Sequence, residues 1–127
     1  MAGLRKRRPG LVYPIREDWH YVGEAGEPAF ENSWTNSSGQ MALAFRIREA
    51  GIVDIHGVVQ GGAAPTIFTL PVGYRPSADS AASAAHESSG STAWVAVSAD
   101  GSVRADIGVA KLNVAHQAFL NLPVAAP

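Results

Sequence analysis

The sequence predicts an all-β fold, a single β-sandwich or barrel, and three observations carry that expectation. Apolar and polar residues alternate with a period of two over 41–47 and 53–59. Glycine-bearing turns at Gly51 and Gly101 are each flanked by such alternation. The block GVVQGGAAPTIFTLPVGYRP (57–76) reads as strand, Gly61-Gly62 turn, second strand (Thr66 to Leu70) and a constrained corner, Gly73-Tyr74-Arg75-Pro76.

Residues 1–16 are expected to form an extended basic N-terminal arm, because Pro9 and Pro14 hold their neighbours out of helix. The body is residues 17–127, with no internal repeat and no second domain. Trp19 to Trp34, with Gly23, Gly26 and Pro28 inside it, predicts a short strand, a turn and another strand. Asn36 to Gly39 is polar and turn-forming.

The next stretch permits a register argument. Met41, Leu43, Phe45 and Ile47 share one face of a strand, and Val53, Ile55 and Val59 share one face of the next. A two-residue loop at Ala50-Gly51 would set Ile47 against Asp54. A three-residue loop, Glu49-Ala50-Gly51, instead pairs Ile47 with Val53, Arg46 with Asp54 and Phe45 with Ile55, which keeps each face consistent. In that register Arg46 sits opposite Asp54 and a salt bridge between them is expected. The same reasoning at Ala99-Asp100-Gly101 pairs Val97 with Val103 and Val95 with Ala105. Trp94, Ala96, Arg104 and Asp106 then lie on the opposite face.

Residues 77–90 are rich in Ala and Ser, which helix propensity favours, while a closely packed strand suits their small side chains; the context favours the strand. Leu112 to Val124 is long and apolar and predicts one or two closing strands.

Composition narrows the function. At 127 residues the chain is long enough to bury roughly two-thirds of its unfolded surface. No apolar run is long enough to insert in a membrane, and the basic N-terminus lacks the apolar stretch of a secretory signal. With no cysteine, disulfides and thiolate metal sites are excluded. The net charge of −1 conceals an asymmetry: residues 1–16 carry five basic and no acidic residues, net +5, and the remainder is −6. Such an arm, led by Arg5, Lys6, Arg7 and Arg8, suits an acidic protein surface or nucleic acid. The acidic body opposes DNA and no aromatics interleave the cluster, so an acidic protein is the expected partner.

No catalytic, metal-binding or cofactor-binding residue is expected. His20, His56, His86 and His116 lie 30 or more residues apart, without metal-ligand spacing. The eleven acids are scattered, and His86-Glu87 stands in a Ser-rich stretch without a nucleophile motif. Glu17-Asp18 and Asp54-x-His56 come nearest to a constellation. Trp94 on the polar face of Arg104 and Asp106 is the better candidate, as a sugar platform, a subunit contact or a core residue. Tyr74 and Arg75 offer stacking and donors or fix their corner, and His86 completes the candidate set for glycan or inter-subunit contact. Trp19 and Trp34 are expected in the core or between subunits.

Taken together, WHYVGEAGEPAFENSW (19–34), PTIFTLPVGYRP (65–76) and the DGSV turn resemble the C-terminal head modules of tailed-phage minor tail and receptor-binding proteins, in particular those of actinobacterial phages. The similarity spans roughly residues 17–124. It implies a jelly-roll-like sandwich that assembles as a homotrimer on a virion, made in the host cytoplasm, non-enzymatic, and facing a cell-surface saccharide. Such modules usually cap a long fibre, whereas this chain shows only the short basic arm after Met1. A head with an arm also fits a homotrimeric decoration protein on the capsid shell, the arm anchoring it to other virion proteins. A stand-alone carbohydrate-binding module is the reading from outside the virus.

Overall fold

The computed structural model describes residues 17–48, 51–79, 81–87, 92–106, 108, 111–114 and 117–120. The basic arm and residues 115–116 and 121–124 of the predicted closing segment lie outside the described residues. The strands are β1 (His20–Tyr21), β2 (Thr35–Asn36), β3 (Ala44–Ile47), β4 (Ile52–His56), β5 (Val58–Gln60), β6 (Thr66–Thr69), β7 (Ala81–Glu87), β8 (Thr92–Val97), β9 (Ser102–Ala105), β10 (Leu112–Asn113) and β11 (Gln117–Leu120). No α-helix occurs among the described residues. All pairings are antiparallel, in a four-stranded sheet ordered β1-β3-β4-β11 and a seven-stranded sheet ordered β2-β5-β10-β7-β8-β9-β6.

Both hairpin registers match the sequence expectation. Ile47 pairs with Val53, Arg46 with Asp54 and Phe45 with Ile55. Val97 pairs with Val103 and Val95 with Ala105. The second loop is closed by the Asp100 carboxylate, whose Oδ1 accepts from the Ser102 N–H at 2.9 Å and its hydroxyl at 2.7 Å. Both loops place glycine at the left-handed position, Gly51 with φ 76° and Gly101 with φ 95°. The Ala/Ser-rich segment is strand β7, pairing with β8 from Ala81↔Val97 to His86↔Thr92. Pairing to neighbours on both sides overrides its helix propensity.

One ribbon joins the two sheets. β4 belongs to the four-stranded sheet and β5 to the seven-stranded one, with Gly57 alone between them. β11 pairs with β4 and β10 with β5, so both strands of the ribbon cross from sheet to sheet. At the bend the Val114 N–H donates to the Gly57 carbonyl at 2.8 Å. Gly57 has φ 148°, and any Cβ there would collide with the Leu43 backbone. The core fills the space between the sheets: Phe45 of β3 stacks on Phe68 of β6 with ring centroids 5.8 Å apart, and Leu43, Ile55, Ile67 and Leu112 are fully buried around them.

Three local expectations change. The strand predicted over 41–47 begins only at Ala44, and Met41 is 58% exposed. Its stretch is held instead by the Asn36 side chain, which accepts the Leu43 N–H at 2.9 Å, and by the Met41 carbonyl, which accepts from Val58. Between Trp19 and Trp34 only β1 is strand; the second strand, β2, starts one residue after Trp34. Trp34 itself is core, 1% exposed, its indole N–H donating to the Ala63 carbonyl at 2.9 Å. Finally, Asp54 pairs with Arg48, not with Arg46 opposite it. Arg48 Nε donates to Oδ2 at 2.7 Å and Nη2 to Oδ1 at 3.2 Å. Arg46 lies over the Trp19 ring, its Cζ 4.3 Å from the centroid. With two guanidiniums and one carboxylate on the face, the arginine at the loop takes the charge and the one in the ladder takes the ring.

Candidate functional site

Two side-chain groups stand apart from the core. The first is a polar cluster at the Tyr74 corner. A tight turn after β1, with Gly23 N–H donating to the Pro28 carbonyl at 2.7 Å and Glu27 N–H to that of Glu24 at 2.9 Å, brings Glu27 back over His20. His20 Nδ1 is 2.9 Å from Glu27 Oε2, and its Nε2 is 3.2 Å from Glu17 Oε1 and 3.0 Å from the Tyr74 hydroxyl. Tyr74 donates its O–H to Glu17 Oε1 at 2.9 Å, and Glu17 Oε2 accepts the Ile47 N–H at 2.9 Å. The imidazole stacks on Phe45 with centroids 5.2 Å apart, and Tyr74 meets both rings edge-on.

Electrostatics follow from that geometry. Burial pushes the His20 pKa down, but hydrogen bonds and charge from Glu27 and Glu17 reverse this and raise it. Burial raises that of Glu17, which the Ile47 N–H, His20 and Tyr74 together outweigh, leaving it lowered. Burial first, then the two carboxylates, push the Tyr74 phenol up to about 12. Only the imidazolium supplies a proton to both Glu27 and the Glu17–Tyr74 pair. His20 and Tyr74 direct their polar atoms at other members of the group and Glu17 also holds the Ile47 N–H, so the arrangement is suited to fastening the Glu17–Pro28 segment to the body. Among the described residues no group of three His, Cys, Asp or Glu could hold a metal ion.

The second group faces outward. Trp94 on β8 is 41% exposed, and Arg104, paired with its neighbour Ala96, places Cζ 6.0 Å from the Trp94 ring centroid. The flanking Ala93 and Val95 point into the core. Asp106 Oδ1 accepts weakly from the Trp94 N–H at 3.4 Å. The Arg104 side chain makes no hydrogen bond or ion pair among the described residues, and its Nε is buried without an acceptor.

Of the candidates from sequence, Trp94 and Arg104 therefore come together on one outer face. His86 is in β7, its backbone paired with Thr92 and Asn113. Tyr74 and Arg75 are engaged internally, Arg75 Nε donating to the Leu70 carbonyl at 2.8 Å. Arg5, Lys6, Arg7 and Arg8 lie outside the described residues. Asp54 and His56 share a face as expected, with Trp19 tilted over His56 at 4.0 Å between centroids.

No family model, curated protein or solved structure matches the chain. No helix among the described residues is long and apolar enough to cross a membrane. The polar cluster escaped the sequence reading because Tyr74 stands 54 residues from His20 and 57 from Glu17. Only the local Glu17-x-x-His20 spacing hinted at it.

Proposed function

We propose that this chain is a non-enzymatic attachment module of a tailed-phage particle. In this reading it is a jelly-roll-like homotrimer that contacts host cell-surface saccharide and is anchored to an acidic virion protein through Arg5, Lys6, Arg7 and Arg8. The observation that carries the reading is Trp94, a large aromatic left 41% exposed on a strand whose other residues alternate regularly between core and surface. An exposed indole on a polar sheet face is suited to adhesion, to a sugar or to another protein. The engagement of Tyr74 and Arg75 in internal bonds supports reading Trp94 and Arg104, rather than that corner, as the contact. The phage setting comes from the resemblance of residues 19–34 and 65–76.

A second reading, a homotrimeric capsid decoration protein, is favoured by the small Ala96 beside Trp94, since small neighbours let another subunit approach the ring. Light scattering on the full chain and on a variant with the four arm cations changed to glutamine tests both. The expected result is a trimer in each case, with wild type sedimenting with actinobacterial cell walls. Trimers that bind empty capsids but no cell wall would favour decoration. A monomer that binds neither would end the virion reading.

A further inference from the structure

We infer that the Trp94–Arg104 couple takes an anionic saccharide, a pyranoside bearing a carboxylate or phosphate group; this deepens the attachment reading above and rests on it. Trp94 supplies an open ring for the apolar face of a sugar, because its strand neighbours Ala93 and Val95 are buried and Ala96 beside it is too small to cover it.

The case for negative charge is Arg104. Of the other described arginines, Arg48 is bonded to Asp54 and Arg75 to the Leu70 carbonyl, while Arg46, whose Nε is likewise buried without an acceptor, lies 4.3 Å over the half-buried Trp19. The Arg104 side chain alone lies over an exposed ring, its Cζ 6.0 Å from the Trp94 centroid, with no side-chain hydrogen bond or ion pair among the described residues. The acids near it are turned elsewhere. Asp106 Oδ1 faces the Trp94 N–H. Asp100 is held by both Ser102 donors, which lower its pKa first, with Arg104 adding a smaller effect through space. A guanidinium without a carboxylate partner is a fork for a planar or tetrahedral oxyanion. A neutral sugar would leave that charge unused, and an anion without a ring would leave the indole unused.

The test uses the full chain in calorimetric and indole-fluorescence titrations with three probes: a hyaluronan hexasaccharide, the same hexasaccharide with its uronates methyl-esterified, and inorganic phosphate. The acidic sugar should bind about tenfold more tightly than its ester, the worth of one charge-assisted hydrogen bond. R104Q should erase that preference, and W94A should abolish binding of both sugars while leaving the thermal transition in place. Equal binding of acid and ester, unaltered by R104Q but lost in W94A, would overturn the anionic inference and leave saccharide attachment standing. Phosphate binding as tight as the acidic sugar, insensitive to W94A, would reduce the feature to a simple anion site and overturn it. If neither sugar binds and W94A lowers the native mass, saccharide attachment itself fails and the face is a subunit contact.

Discussion

Replacing His20 with phenylalanine separates the two things its ring does. The phenyl group retains the stack on Phe45 but removes the bonds to Glu27 at 2.9 Å and to Glu17 and Tyr74 at 3.2 and 3.0 Å. A hydrogen bond involving a charged group contributes about 1.5–3 kcal/mol when buried. The side chains here are about a quarter to a third exposed, so solvent screening reduces each of two such bonds to about 1 kcal/mol. H20F should then lose about 2 kcal/mol near pH 6, a fall in melting temperature of roughly 6–10 °C for a chain of this size. The pH dependence gives the sharper check. The His20 pKa is raised on folding, so its contribution is complete below the ordinary value of 6.5 and is lost as pH rises through the higher folded value. Glu17, lowered on folding, contributes above 4.5 and loses its share as pH falls through its folded value. Urea unfolding of wild type and variant from pH 4 to 9 should show the gap widest near pH 6 and narrowing towards pH 9. A gap of constant size across that range would refute the charge argument and leave packing as the whole effect.

Other substitutions probe the remaining framework. Y74F should cost about 1 kcal/mol in urea unfolding and remove from the spectrophotometric titration the phenol that ionises near 12. D54N should cost about 2 kcal/mol by the same measurement, because it leaves Arg48 without its carboxylate and beside Arg46 on the same face. G57A should cost about 3 kcal/mol or more, since its Cβ meets the Leu43 backbone and its φ is disfavoured. G26A, with nothing near the added atom, should cost only about 1 kcal/mol from its φ of 80°.

What the sequence revealed was local. The registers of β3–β4 and β8–β9 follow from side-chain alternation and from glycines that close three-residue loops, all within a dozen residues. The face shared by Trp94 and Arg104 was legible for the same reason. Met41 was misread because alternation cannot reveal that the side chain of Asn36 takes the Leu43 N–H before the ladder begins. Arg46 and Asp54 were correctly paired as backbone positions, yet Trp19, just before β1 and on the far side of β3 from Asp54, drew the guanidinium away. The His20 cluster joins residues more than fifty positions apart, and no periodicity in either partner records the meeting.

The crossing ribbon and the His20 cluster occupy opposite margins of the molecule. Along one margin the chain passes from β4 through Gly57 directly into β5, with β11 and β10 paired alongside, like the spine of a book. At the other, β1 is the outermost strand of its sheet and Tyr74 follows β6, the outermost strand of the other, so the polar group acts as the clasp. A spine bound by covalent chain and a clasp bound by protons give the fold a direction in which to yield. Alkaline conditions should loosen the fore-edge first, and amide exchange at β1 should quicken well before it does at Val114.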